Sequence, residues 1–271
     1  MGGIMTGKSL RLRRVMDVRS GRTLVVPLDH GVSMGAIPGL EDLSEVVVTA
    51  GQQGANAVIL HKGSLGHLVA RAAGGPFDEL GVVVHLSGAT SLSPAPAHQV
   101  SVCSVDEAVA LGADAVSVQV NLGCAGERDM LCMLAEVGRQ AARHGVPLLV
   151  MAYVRDDAGR TSLERGKVVH AARVAEDLGA DLVKLPFAGA ETVAKVAAIL
   201  HVPILIAGGA KGSEAGLYRM ARDAMQAGAA GLCVGRNVFQ AERPGVILGR
   251  LADIVHGIVP RAETVCALAG R

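Results

Sequence analysis

Eight short apolar runs rich in β-branched residues recur along the chain, each followed by a spacer long enough for a helix. They span Leu24 to Asp29, Ala57 to His61, Val82 to Leu86, Ala115 to Val120, Leu148 to Tyr153, Leu182 to Leu185, Ile204 to Gly208 and Gly231 to Gly235. Strand and helix alternating in this way predict a parallel sheet covered by helices, and eight repeats predict its closure into a single α/β (β/α)8 TIM barrel. The 271 residues suit the roughly 250 that such a barrel needs.

A second regularity separates odd strands from even ones. Gly-Ala pairs at Gly54-Ala55, Gly112-Ala113, Gly179-Ala180 and Gly228-Ala229 stand before the second, fourth, sixth and eighth runs, where glycine ends the preceding helix. The fifth and seventh runs are entered through Val146-Pro147 and Val202-Pro203, where proline stops a helix without cost to a strand's first residue. In the last spacer Ile247, Leu251, Ile254 and Ile258 share one helical face, away from Arg250 and Asp253. No linker divides the chain. It reads as a segment 1–23 whose helix caps the bottom of the barrel, a barrel over 24–260 and a tail over 261–271.

Composition narrows the function classes. Half of the residues are apolar, yet no run approaches the roughly 18 that a membrane span needs. The start lacks the apolar core of a secretory signal, Lys8-Ser-Leu-Arg-Leu-Arg-Arg14 reads as a solvated amphipathic helix, and a cytoplasmic location is expected. A net charge of +1, with only two Tyr, three Phe and no Trp, supplies neither a basic field nor a stacking platform, which argues against nucleic acid as a partner. Cys103, Cys124, Cys132, Cys233 and Cys266 form no CxxC pair and are expected to be reduced core fillers.

In a barrel of this kind chemistry gathers at the C-terminal ends of the strands. There the runs lead into Asp29-His30-Gly31, His61-Lys62-Gly63, His85-Leu-Ser87-Gly88, Tyr153 with Arg155, Gly208-Gly209 and Gly235-Arg236-Asn237. The sixth run contains Lys184, an amine inside the otherwise apolar Asp181-Leu-Val-Lys184-Leu-Pro. Burial there is expected to hold it below the usual lysine pKa of about 10.4 and leave a neutral nucleophile, suited to a Schiff base with a carbonyl substrate. The alternative is a lysine on the outer wall whose ammonium snorkels or pairs with a carboxylate. Tyr153 on the neighbouring strand and Asp29 across the barrel favour the inward reading, because they are proton-transfer groups.

The remaining residues suit substrate binding. On adjacent strands seven and eight, Gly208-Gly209 and Gly235-Arg236 fit a phosphate, since glycine lets backbone N–H groups approach an anion and Arg236 adds charge. His30, His61 and His85 end three consecutive runs, but a metal site would need a carboxylate shell that only Asp29 is near enough to supply. They are read as hydrogen-bonding the substrate or one another, and neither a metal nor another cofactor is expected. Lys62 is a charge partner for Asp29 or a rival nucleophile, and Arg155 completes the binding set.

Over almost its whole length the chain resembles the class I aldolases of the archaeal-type fructose-bisphosphate aldolase group, and within it the 2-amino-3,7-dideoxy-D-threo-hept-6-ulosonate and 2-amino-4,5-dihydroxy-6-oxo-7-(phosphooxy)heptanoate synthases. Five segments carry the likeness: Val26-Pro-Leu-Asp-His-Gly-Val-Ser33, Leu60-His-Lys-Gly63, Val84-His-Leu-Ser-Gly88, Gly112-Ala-Asp-Ala-Val-Ser-Val118 and Gly235-Arg-Asn-Val-Phe-Gln240. The resemblance implies a lyase in which Lys184 forms the imine, Tyr153 moves the proton at the adjacent carbon, Asp29 assists as acid or base, and Gly208, Gly209, Gly235 and Arg236 hold the phosphate. It further implies dihydroxyacetone phosphate or a related 1-phosphoketose as donor and L-aspartate 4-semialdehyde as acceptor. The pathway would be biosynthesis of aromatic amino acids or an aminohydroxybenzoate, and the assembly a homo-oligomer, often a decamer. Fructose-bisphosphate cleavage and a silent phosphometabolite-binding barrel are the alternatives. Two segments depart from the group: Met151-Ala-Tyr-Val-Arg-Asp156 replaces Met-Met-Tyr-Pro-Arg-Gly, and Lys184-Leu-Pro-Phe187 replaces Lys-Thr-x-Tyr, which changes the lining above the imine.

Overall fold

The computed structural model describes residues 6–71, 77–156 and 158–257. The expected tail, Cys266 and Ile258 therefore lie outside the described residues. Eight strands form the barrel: β1 (Thr23–Pro27), β2 (Ala57–Leu60), β3 (Gly81–His85), β4 (Ala115–Leu122), β5 (Leu148–Val154), β6 (Leu182–Pro186), β7 (Ile204–Ala207) and β8 (Gly231–Cys233). They pair in parallel, each with its chain neighbours, and β8 closes on β1 through Thr23 opposite Gly231. A two-residue antiparallel pair, Ser87–Gly88 with Val100–Ser101, follows β3 and was not legible as a run.

Each Gly-Ala pair builds the same joint. Gly54, Gly112, Gly179 and Gly228 all have φ between +83° and +101°, a left-handed turn that only glycine adopts without strain. The alanine after each donates its N–H back five residues into the helix, as in Ala55 to Ala50 and Ala180 to Ala175, which ends the helix in a Schellman turn. The next residue then enters the sheet. Asn56, Asp114 and Asp181 give their own N–H to Leu24, Val82 and Leu148, and their side-chain oxygens accept the N–H of those same residues at 2.7, 2.9 and 2.8 Å. One short polar side chain thus seals the start of β1, β3 and β5.

Period-two alternation sorts the strand residues onto two buried faces. Leu24, Val26, Val58, Leu60, Val82, Val84 and their equivalents face the helices, in one large outer cluster. Val25, Ala57, Ile59, Val83, Ala115, Leu149, Met151, Leu182, Leu205 and Cys233 fill the cylinder. The N-terminal helix Gly7–Val15, started by a Thr6/Ser9 capping box, plugs the lower end with Val15 and Met16. Its basic face is not simply solvated. Lys8 bonds Asp181 at 2.7 Å, Arg11 donates to the Gly145 carbonyl, and Arg14 reaches Asp114 together with the carbonyls of Phe77 and Asp78.

The last helix, Pro244–His256, buries Ile247 and Leu251 as expected. Cys103, Cys124 and Cys233 are buried free thiols, but Cys132 is exposed on the helix Glu127–His144, correcting its reading as a core filler. Asp181 carries two roles at once, so Asp181→Ala leaves the buried Leu148 N–H unpaired and releases Lys8. The expected loss is about 1–3 kcal/mol in a denaturant melt, with little change in its slope.

Candidate active site

Two inward positions in succession along β6 are Leu182 and Lys184, and this alternation decides where the amine goes. Lys184 is 7% exposed and stands inside the mouth of the cylinder, its Nζ 3.6 Å from the Sδ of Met151, which is also its register partner on β5. The outer-wall alternative is excluded. Two residues further along β5, Tyr153 projects into the same space and is 8% exposed. Asp29 precedes the one-turn helix His30–Met34, but its carboxylate makes no capping bond to that helix. It faces the mouth, with His30 Nδ1 at 3.6 Å from Oδ1 and His85 Nε2 at 3.8 Å from Oδ2.

Lys184, Tyr153, Asp29, His30, His61, Arg155, Gly208, Gly209, Gly235 and Arg236 all line one cavity of about 650 Å³. Lys62 does not. It starts the helix Lys62–Arg71, where the turn carries its side chain outward, and it pairs with Glu107 at 2.9 Å in solvent. Its charge partner is Glu107 and not Asp29, and its amine stands outside the cavity.

The charge state of Lys184 also departs from expectation. Burial does favour the neutral amine, but the acidic groups of Cys233, Tyr153 and Asp29 converge on it and outweigh burial, so its pKa lies above the ordinary value. The resting amine is an ammonium. Asp29 shows the reciprocal balance: burial disfavours its charge, but His85, His30 and Lys184 hold its pKa below the usual carboxylate value. Burial pushes His30 down, and pushes His85 down to about 4, so both imidazoles are neutral at pH 7.

The glycines of β7 and β8 meet in a tight seat. A side chain at Gly235 would lie 2.8 Å from His30 Cε1 and 3.0 Å from the Pro27 carbonyl oxygen, and one at Gly208 would lie 2.7 Å from Val234. Gly209 turns with φ +71°. Asn237 straps this loop in place, donating to the carbonyls of Gly208 and Ala210 at 2.9 and 3.0 Å and accepting from the Gly212 N–H at 2.9 Å. Arg236 donates to the Gly209 carbonyl at 3.3 Å. Among the described residues, the N–H groups of Gly209 and Gly235 have no hydrogen-bond partner within the chain. Arg155 is a second cation of the site. Its guanidinium lies 4.9 Å from the centre of the Tyr153 ring, its Nε is buried without a partner, and burial lowers its pKa.

Several residues of the site escape a reading of the sequence. Ser117, Gln119 and Asn121 alternate with valines along β4, and this polar period of two marks an inward polar stripe. Ser87 and Asn237 stand within motifs whose other members drew the attention. Among the described residues no three His, Cys, Asp or Glu side chains are grouped to hold a metal ion, and no helix is long and apolar enough to cross a membrane.

Residues 23–241 match the DeoC/LacD family aldolase profile. The chain is 39% identical over 251 residues to a 2-amino-4,5-dihydroxy-6-oxo-7-(phosphonooxy)heptanoate synthase of Streptomyces griseus, covering 92% of this chain and 90% of that protein. It is 38% identical over 261 residues to 2-amino-3,7-dideoxy-D-threo-hept-6-ulosonate synthase 1 of Archaeoglobus fulgidus, covering 96% and 95%. Among solved structures, an archaeal fructose-1,6-bisphosphate aldolase with its catalytic lysine covalently bound to a carbinolamine intermediate superposes with a TM-score of 0.82 at 28% identity, over 92% of this chain and 99% of that one.

The His85 environment sets a pH dependence. The unfolded chain takes up a proton near 6.5, whereas the folded chain refuses it until about pH 4, so stability falls by ~3 kcal/mol as pH drops through that window and is unaffected above it. Melts at a series of pH values should show a shallower acid slope for His85→Gln than for the unmodified protein.

Proposed function

Because this chain belongs to the DeoC/LacD family of aldolases, we propose that it joins a phosphorylated ketone to an aldehyde through an imine on Lys184. The observation that carries this reading is the convergence of Lys184, Asp29 and Tyr153 in one cavity whose far wall is the strapped glycine seat beside Arg236. Dihydroxyacetone phosphate or a related 1-phosphoketose is the donor. L-aspartate 4-semialdehyde is the acceptor, by similarity to the two synthases, in biosynthesis of an aromatic amino acid or an aminohydroxybenzoate.

The reaction begins with a proton transfer. Lys184 rests as an ammonium, and Asp29 takes its proton as the nitrogen adds to the ketone carbon. The carbinolamine oxygen, protonated once from the attacking nitrogen and once by the proton Asp29 returns, leaves as water, and the iminium nitrogen draws in the electron pair of the adjacent carbon. Tyr153 carries the proton at that carbon. The enamine attacks the aldehyde, whose oxygen takes up the proton that Tyr153 carried, and water then releases the product and returns Lys184 to its ammonium form. Phosphate binding at Gly209, Gly235 and Arg236 orients the donor at a distance from the reacting carbon. The imine supplies the electron sink, so the reaction needs no metal.

A second reading, cleavage of fructose 1,6-bisphosphate, is favoured by Arg155, a half-buried guanidinium besides Arg236 that is suited to a second anionic group. Offering L-aspartate 4-semialdehyde and glyceraldehyde 3-phosphate as competing acceptors separates the two.

Incubation with dihydroxyacetone phosphate and borohydride should add the reduced donor to Lys184 in the intact mass. Lys184→Met should take up none and lose on the order of 10⁴-fold in turnover while remaining folded. Chelator should leave activity unchanged; loss with chelator and no adduct would defeat the imine reading. Arg236→Ala should raise the donor KM by about 10- to 100-fold with a smaller effect on kcat, the weight of a lost charge-assisted hydrogen bond. Normal donor saturation in that variant would remove the phosphate from this seat.

A further inference from the structure

His85 stands in the wall of the site, where the reaction outlined above gives it no step. It ends β3 and is 4% exposed. Its Nδ1 lies 2.8 Å from Ser117 Oγ on β4, and its Nε2 lies 3.2 Å from Ser87 Oγ and 3.8 Å from Asp29 Oδ2. His61, just after β2, packs edge-on against the same ring, with centroids 5.3 Å apart. Both ring nitrogens and one flank of the imidazole therefore meet protein, and the ring still lines the cavity.

We infer that His85 is the positioning residue of the site: held in one orientation by Ser117 and His61, it turns Nε2–H toward Oδ2 of Asp29 across 3.8 Å, beyond direct hydrogen-bond length, and biases the orientation of the carboxylate in the mouth it shares with Lys184. The inference rests on the imine reading and deepens it. Its first support is the tautomer. Ser87 Oγ accepts the Gln119 N–H at 2.9 Å and keeps a second lone pair for Nε2–H, and the Asp29 carboxylate that Nε2 also faces is anionic. A lone pair on Nε2 aimed at that anion would repel it, whereas a proton attracts it. Nδ1 then accepts from the Ser117 hydroxyl, which locks the ring in the useful form.

The second support is the division of labour around Asp29. His30, from the helix that follows β1, faces Oδ1, and His85 from β3 faces Oδ2. Lys184 from β6 and Cys233 from β8 also act on the carboxylate, with His61 behind His85. Of the two imidazoles that face the carboxylate, His85 is the one whose ring nitrogens are hydrogen-bonded to further side chains, whereas His30 Nδ1 has no such partner. A carboxylate biased toward one orientation is readier for proton transfer in the cavity it shares with Lys184, and as a neutral group His85 adds no competing positive charge.

The test measures kcat, donor KM, melting temperature and the pH dependence of borohydride-trapped imine formation for the unmodified protein, His85→Leu, His85→Gln and Ser117→Ala. Leucine removes the donor, and kcat should fall about 10- to 100-fold, the range seen when an orienting partner is lost. Donor KM should stay within about threefold, and the acid limb should move to higher pH because Asp29 loses a donor that favours its charged form. Glutamine returns an N–H near the Nε2 position and should restore the limb and most of the rate, with Ser117→Ala intermediate. An unmoved limb in His85→Leu, or equal losses in Leu and Gln that follow only a lowered melting temperature, would overturn the inference. Absence of any trapped adduct in the unmodified protein would instead defeat the imine reading, and this inference with it.

Discussion

An ammonium enclosed by an apolar cylinder must be answered by negative charge close at hand, because taking either ion alone out of water costs several kcal/mol. Lys184 and Asp29 meet that requirement from opposite sides of the barrel, β6 and β1, so neither residue makes sense without the closure that brings those strands to one mouth. The same enclosure keeps His30 and His85 neutral, which makes them donors and acceptors in place of competing cations. An ammonium and a carboxylate at one mouth, framed by uncharged imidazoles, suit the proton transfers that the proposed imine requires.

The barrel was legible because parallel strands buried on both faces leave continuous apolar runs, and helix ends leave glycine. Even so, the boundaries differ at the rim. The eighth run continues to Gly235, but β8 stops at Cys233; Val234 still gives its N–H to Val25 of β1 at 3.0 Å, and the chain turns into the next helix at Gly235. The inward placement of Lys184 follows from its strand parity with Leu182, because residues two apart on a strand share a face.

What the sequence concealed was non-local. The direction of the Lys184 pKa depends on Cys233, Tyr153 and Asp29, from three other strands, and a reading confined to its apolar neighbours counts burial without the answering acids. Lys62 misled for a different reason: it follows His61 directly, yet the helix begins there and a single turn sends the side chain to Glu107. His61 stays in the cavity and Lys62 leaves it, so adjacency in sequence is a poor guide once the periodicity changes from two to 3.6.

Asn237 gives the glycine loop a property that its composition would not suggest. Three hydrogen bonds from one amide hold residues 208–212 in shape before any ligand arrives, so a run of Gly-Gly-Ala-Lys-Gly, among the most pliable a chain can contain, behaves as a rigid mould. Capture of an anion there demands no freezing of the backbone, and the full strength of the contact is left for aligning whatever is attached to it.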